Sequence, residues 1–331
     1  MARPLIAAHV GAGNWSRSAH GPVLRRLATQ PDRPLRLAGI CDLDPERARR
    51  YRDDFGYAAA FTDPEELVSK VRPDVVYVMV QPAASAAVLE KLLPLGIPVF
   101  TEKPPGVTVP QAEHLAELAE RHGTLSYVAF NRRRTAEIEA MVAFARARGP
   151  VRHVRAEMLR HQRMEPFFAL ETGIHVLDAL RYLCGEVVAL STEVRGYPRT
   201  EARDYQVVLH FASGVRGDVL MAVHCGLQRE RYFLQTAGGT IEATLGGAYS
   251  GEYCEPGLDA WADNKLLEHV EADRDYHIAA GLLNEHLRFL EHVRAGTRPD
   301  CCLQDARHSL RLAAAVQEGF TGSLADFVPS P

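Results

Sequence analysis

Over the first 130 residues, short continuous apolar runs alternate with stretches of helical pattern. The runs Leu5–Val10, Leu35–Cys41, Val75–Val80, Val99–Thr101 and Leu125–Phe130 are apolar at successive positions, not at every second one. Strands of that pattern are buried on both faces, as in a parallel sheet covered by helices. Helix starts between the runs are well marked. Asp44-Pro45 sets a capping carboxylate before a proline at the first helical position. Asp63-Pro64 repeats it with Glu66, and Thr108 with Gln111 forms another capping box before a helix reaching Arg121. Strand–helix alternation with right-handed crossovers predicts an α/β domain built on a doubly wound parallel sheet.

The period changes after Gly149-Pro150. Val154, Ala156 and Met158 alternate with Arg155 and Glu157. Further strand-like runs are Val187–Val194, Tyr205–Phe211, Val215–His224, Arg231–Thr236 and Thr240–Leu245, with Ser213-Gly214 and Gly238-Gly239 as turn signals between them. One strong helical pattern, Ile174 to Leu183, interrupts them. Two helices, about Ile278–Ala295 and Gln304–Phe320, follow. The pattern predicts an α+β domain with a mostly antiparallel sheet and a helix on one face. The expected division is 1–130 and 131–331, and 331 residues is ordinary for two cores.

A hydrophobic fraction of 47% with 24% charged residues suits a globular protein with no membrane span. A net charge of -4 gives no footprint for nucleic acid. The apolar stretch from Val75 is broken by Gln81-Pro82 and is too short for a bilayer. Of the six cysteines (Cys41, Cys184, Cys225, Cys254, Cys301, Cys302) no pair has C-x-x-C spacing. Reduced thiols and a cytoplasmic location are expected. Leu5–Val10 runs into glycines, which points to a strand and not a signal peptide.

The candidate chemistry sits at strand ends. His9-Val10-Gly11-Ala12-Gly13-Asn14-Trp15-Ser16 follows the first run and opens a helix. Glycine at 11 permits a tight turn, and glycine at 13 lets backbone approach a pyrophosphate at the helix N-terminus. Ser16 replaces the third glycine of the dinucleotide fingerprint. Asp42 closes the second run, where a carboxylate accepts from ribose hydroxyls and repels a 2′-phosphate, favouring NAD over NADP. Its blander role is to begin the turn capped by Asp44. Gln81 and Pro82, Glu102 and Lys103 follow later runs. With Gly11, Gly13, Asn14, Trp15 and Asp42 they are the expected cofactor-binding set.

Two further groups are candidates for catalysis. Lys103, fixed between Glu102 and Pro104-Pro105-Gly106, is placed to hold a reacting oxygen and its developing charge. Glu171, His175 and Asp178 cluster about one helix start, with His175 and Asp178 on one face. His175 suits proton removal from a hydroxyl, Glu171 a neighbouring hydroxyl, and Asp178 the orientation of the imidazole or a backbone bond. Zinc on Glu171, His175 and Asp178 is the competing reading. With no cysteine pair and no second histidine nearby, no metal is expected.

In combination and order, Gly11-x-Gly13, Cys41-Asp42-x-Asp44-Pro45, Glu102-Lys103-Pro104, Phe130-Asn131-Arg132-Arg133 and Gly173-x-His175-x-x-Asp178 resemble the Gfo/Idh/MocA family of sugar and polyol oxidoreductases. The resemblance implies a Rossmann domain followed by an α+β domain with a large open-faced sheet. It implies that the open face forms a homodimer or homotetramer, and that a cis peptide is common at the Glu-Lys-Pro segment. Lys103 and His175 would be its catalytic pair, with Glu171 at an acidic position that is often Asp. Lys103, Asn131, Glu171 and His175 would bind substrate. A histidine that many members carry near Pro82 is absent.

The expected activity is hydride transfer between NAD (less so NADP) and a hydroxyl-bearing carbon, or ketone, of a cyclic sugar, amino sugar or inositol. A non-catalytic NAD/sugar-binding sensor and an NAD-dependent glycosidase without net redox are the alternatives. The sequence leaves open whether Arg132, Arg163 and Tyr205 line the pocket.

Overall fold

A computed structural model describes residues 3–32, 34–245 and 256–330. Cys254 lies outside them. The chain divides into two compact units, Met1–Ala129 with Glu285–His308, and Phe130–Asn284 with Ser309–Pro331.

In the first unit, β1 (Leu5–Val10), β2 (Leu35–Cys41), β3 (Ala59–Phe61), β4 (Val75–Val78), β5 (Val99–Thr101) and β6 (Ser126–Val128) pair in parallel. Their order is β3-β2-β1-β4-β5-β6. The chain reverses its winding between β1 and β4, and ligands of such sheets bind beyond the carboxyl ends of the strands at that point. The connecting helices are α1 (Gly21–Thr29), α2 (Pro45–Phe55), α3 (Pro64–Val71), α4 (Pro82–Leu92) and α5 (Val109–His122). The continuous apolar runs are the strands. All four residues of β4 are fully buried, as a strand covered on both faces requires. The caps form as well: Asp44 accepts from the Glu46 and Arg47 amides, Asp63 from Glu66, and Thr108 from Gln111. Strand β3 was not expected. Its three half-buried residues are too short a run to show a period.

In the second unit, β7 (Val151–Leu159), β8 (Val187–Gly196), β9 (Arg203–Phe211), β10 (Arg216–Ala222), β11 (Arg229–Thr236), β12 (Gly239–Thr244), β13 (Gly257–Ala262), β14 (Lys265–Glu271) and β15 (Gly322–Ser323) form one sheet. The order is β14-β13-β12-β11-β7-β10-β9-β8-β15. Within this sheet, among the described residues, only β7 and β10 pair in parallel. Helices α6 (Ala136–Arg148) and α7 (Ile174–Cys184) pack on it. Val154, Ala156 and Met158 are buried, while Arg155 on the other face is exposed. Strands β13 and β14 were missed. Every residue of β14 is exposed, so its sequence carries no core-facing alternation. Asp263 and Asn264, both at positive φ, make the hairpin turn between them.

The helix expected over Ile278–Ala295 is two helices, α8 (Tyr276–Ala279) and α9 (Leu282–Ala295), interrupted at Gly281. Gly281 has φ +74°, and a Cβ there would lie 2.3 Å from the Asn131 carbonyl oxygen, so only glycine fits. Helix α10 (Leu303–Gln317) follows. The segment Glu285–His308 belongs with the first unit, so the chain after 130 is not one contiguous domain as expected. The Val128 amide bonds the Cys301 carbonyl and the Leu303 amide bonds Ser126 Oγ, which extends the β6 edge. No described helix is long and apolar enough to cross a membrane.

Candidate active site

The glycine loop of the first unit is shaped by contacts from below. Gly11 has φ +105°, and a Cβ there would lie 2.3 Å from the Met79 carbonyl oxygen. Close packing of β1 against the end of β4 therefore requires this glycine. A Cβ at Gly13 would meet no atom of the chain within 4 Å, which leaves room for a pyrophosphate to approach the backbone. Asn14 and Trp15 are exposed beside it. Ser16, in place of the third glycine, is buried in a π-helical turn, Ser16–His20, where its hydroxyl lies 2.9 Å from His9 Nε2 and 3.0 Å from the Tyr51 hydroxyl. His9 Nε2 is also 2.9 Å from the Gly11 carbonyl oxygen. A carbonyl only accepts, so the Nε2 proton of His9 is donated there. Nδ1 then accepts from the Tyr57 hydroxyl at 2.9 Å. Burial, aided by the charge of His20, pushes His9 down to about 3, so it is neutral.

Asp42 braces the same loop. Its Oδ2 accepts from the Ala12 amide (2.8 Å) and its Oδ1 from the Asp44 amide (2.9 Å). Arg47 lies 3.0 Å from Oδ1. Both readings of Asp42 are thus compatible with its place: it starts the α2 turn, and it stands at the β2 end beside the loop. Gln81 caps α4 at the end of β4 and is exposed, with Pro82 as the first helical residue.

Glu102 and Lys103 follow β5, and the Glu102 amide bonds the Val78 carbonyl. The Lys103–Pro104 peptide is cis. Lys103 is half-buried. Glu102 Oε1 accepts from the Trp15 indole (2.8 Å) and from His20 Nε2 (2.6 Å), and Oε2 accepts from the Lys103 amide (3.0 Å). Burial pushes the Glu102 carboxyl up. The hydrogen bonds from His20 and Trp15 and the charges of His20 and Lys103 outweigh it and hold the group below its usual range. The glycine loop and the Glu-Lys-Pro segment are therefore tied directly, Trp15 to Glu102. Sequence reasoning missed His20 and His9. His9 is a polar position inside the Leu5–Val10 run and His20 falls in no known spacing, so only their buried partners reveal them.

The second unit carries the other predicted residues. Glu171 is exposed, in a π-helical turn, Ala169–Gly173, that leads into α7. His175 is 8% exposed, in the first turn of α7. The Gly173 Cβ position is 2.6 Å from Met221 Sδ, so β10 packs closely under this turn. Thr172 accepts from Arg163, which also pairs with Glu165 at 2.6 Å. Asp178 is fully buried. Both its oxygens are taken by Arg133 (2.7 and 2.6 Å), and Ser309 donates to Oδ1 at 2.6 Å. Asn131 is buried; its amide donates to the Ala280 carbonyl and its Oδ1 accepts from Arg132. Arg132 and Arg160 hold the fully buried Glu230 in place, and Tyr205 is fully buried. Lys103 belongs to the first unit, and His175 and Glu171 to the second.

Among the described residues, Glu171, His175 and Asp178 form no group able to share a metal ion. The one described cluster of that kind is elsewhere: His20, Glu285 and His286, all buried in the first unit.

A parallel sheet wound in this order, with a glycine loop at its switch point and a lysine after β5, defines a dinucleotide-binding fold of the oxidoreductase kind. Residues 6–130 match the family model "Oxidoreductase family, NAD-binding Rossmann fold", and residues 137–242 match the Gfo/Idh/MocA C-terminal domain. The chain belongs to the Gfo/Idh/MocA oxidoreductase family.

It is 25% identical to an Escherichia coli D-glucoside 3-dehydrogenase over 211 residues, 59% of this chain and 58% of that protein. It is 24% identical to an inositol 2-dehydrogenase from an Arthrobacter species over 244 residues, 68% of each. An Agrobacterium radiobacter oxidoreductase, solved with NAD+, L-tartaric acid and magnesium, shares the fold with a TM-score of 0.82 at 20% identity, covering 98% of this chain and 100% of that one.

Proposed function

We propose that the protein is an NAD-dependent oxidoreductase that moves a hydride between nicotinamide C4 and a hydroxyl-bearing carbon, or ketone, of a cyclic sugar, amino sugar or inositol. The observation that carries the reading is the Trp15–Glu102 hydrogen bond, which joins the glycine loop to the segment holding Lys103. A loop suited to pyrophosphate and a lysine suited to a reacting oxygen are thereby parts of one constellation. The relatives named as glucoside and inositol dehydrogenases support the substrate class.

When bound, the nicotinamide supplies the hydride acceptor. Gly11, Gly13, Asn14 and Trp15 would hold the cofactor's diphosphate half, Asp42 its ribose, and Gln81, Pro82 and Glu102 its other half. Lys103 donates a hydrogen bond to the reacting oxygen and stabilises its negative charge. His175 takes the hydroxyl proton, or returns it in the reverse direction. Glu171 binds a neighbouring hydroxyl. Asn131, held by the Ala280 carbonyl and Arg132, would bind substrate from that position. Arg47 beside Asp42 would pair with a 2′-phosphate, so NAD is preferred but NADP is not barred. Assembly through the open face of the nine-stranded sheet, as a homodimer or homotetramer in the cytoplasm, is part of the same reading.

The test is net NADH formation from NAD with inositols, free sugars, amino sugars and aryl glycosides, with Lys103→Met alongside. Turnover of a polyol that the variant loses supports the reading. Glycoside cleavage without NADH, or tight NAD binding with no reaction across the panel, contradicts it.

A further inference from the structure

We infer that His20, Glu285 and His286 form a divalent-metal site, best suited to zinc, buried in the nucleotide-binding unit beneath the Glu-Lys-Pro segment. One ligand atom from each of the three side chains lies within 4.8 Å of the others, and all three residues are fully buried. His20 Nδ1 and His286 Nε2 face each other at 2.9 Å. Ligands about 2.1 Å from a tetrahedral zinc stand about 3.4 Å apart. The two facing imidazole nitrogens stand somewhat closer than that, and the Glu285 carboxylate lies within 4.8 Å of both.

The surroundings fit a metal ligand set in three further respects. A metal-binding histidine ordinarily gives its other N–H to a carboxylate, which fixes its tautomer. His20 Nε2 lies 2.6 Å from Glu102 Oε1, so a neutral His20 gives its one N–H to that carboxylate. The lone pair of His20 therefore points from Nδ1 toward His286. The metal-free arrangement has one proton shared between the two facing nitrogens. Moving the His286 proton to its Nδ1 leaves two lone pairs converging beside the Glu285 carboxylate.

The second respect is polar accounting. Among the described residues His286 Nδ1 and the Tyr77 hydroxyl are buried without a hydrogen-bond partner, and the two rings are 5.3 Å apart. With its proton on Nδ1, His286 offers Nε2 to the metal, and Nδ1–H is a donor for an ordered water. The third is charge. A fully buried carboxylate beside two imidazoles favours a dication there over a monovalent ion. Phe100 stacks on His286 at 4.6 Å and shields the group from solvent. Three protein ligands leave the fourth position of a tetrahedral zinc to a water. Through His20 and Glu102 the site would fix the backbone that presents Lys103.

The experiment does not depend on turnover. Protein prepared in zinc-supplemented medium is freed of loose metal, and its zinc content is measured by mass spectrometry. Zinc-edge X-ray absorption on the same wild-type protein reads the ligands. One zinc per chain with two imidazoles and one carboxylate is expected. Glu285→Gln and His286→Asn should each weaken zinc binding by roughly a hundredfold or more, judged on variants with native circular dichroism. His161→Gln, at an exposed imidazole, should not. No retained zinc, a sulfur ligand in the absorption spectrum, or equal binding by folded Glu285→Gln or His286→Asn would overturn the proposal.

Discussion

Both carboxylate oxygens of Asp178 are held by one guanidinium, that of Arg133, at 2.7 and 2.6 Å, with both side chains buried. Ser309 adds a third bond to the same carboxylate. The shared helical face of His175 and Asp178 thus separates two tasks. Asp178 fastens α7, and His175 is assigned the proton in the proposed reaction.

That separation has a measurable consequence. Asp178→Asn strands a buried arginine charge and should cost about 3–5 kcal/mol in urea unfolding. His175→Gln should change stability by much less while abolishing turnover. Equal losses of stability in the two variants would put His175 in the scaffold instead.

The two loop glycines should fail differently. Gly11→Ala places a methyl against the Met79 carbonyl at a strained φ and should lower both stability and NAD affinity. Gly13→Ala meets no atom of the chain, so folding should be normal. Its NAD dissociation constant should still rise about tenfold or more, a loss of about 1.4 kcal/mol. Thermal melts and fluorescence titration of each variant check this.

His9 should make the protein acid-sensitive. Burial holds its folded pKa at about 3, against about 6.5 unfolded. Above pH 6.5 both states are neutral there and stability is unaffected by this group. Between about 6.5 and 3 the unfolded chain binds a proton that the folded one refuses, so stability falls as pH drops. The slope approaches about 1.4 kcal/mol per pH unit. Denaturation curves at pH 7.5 and 5 should differ less for His9→Asn than for the native chain.

The parallel sheet was legible because its strands are buried on both faces, and runs such as Val75–Val78 have no polar position to confuse them. The caps were legible because Asp44, Asp63 and Thr108 act on amides two or three residues away. What failed depends on distant partners. β14 has no buried face, so nothing in Lys265–Glu271 marks it as a strand. The return of Glu285–His308 to the first unit, and with it the contact of His286 with His20, joins residues 266 positions apart. The Asp178–Arg133 pair likewise spans 45 positions, which no local spacing reveals.

Cofactor choice should rest on Asp42 and its neighbour Arg47. Asp42→Ala removes the carboxylate assigned to the ribose in the proposed reading and frees Arg47, and should shift the NADP-to-NAD affinity ratio upward by about tenfold or more. The same substitution removes the brace on the Ala12 amide, so both affinities should weaken. Parallel titrations with the two dinucleotides separate the effects.

Hydride transfer itself is tested most directly by isotope. The active polyol from the substrate panel is deuterated at its carbinol carbon and incubated with NAD, and the product NADH is analysed by mass spectrometry and proton NMR. The account predicts one deuterium at nicotinamide C4, formed by the native protein and lost with Lys103→Met. NADH without the label, or label returned to the sugar with no net NADH, would contradict it.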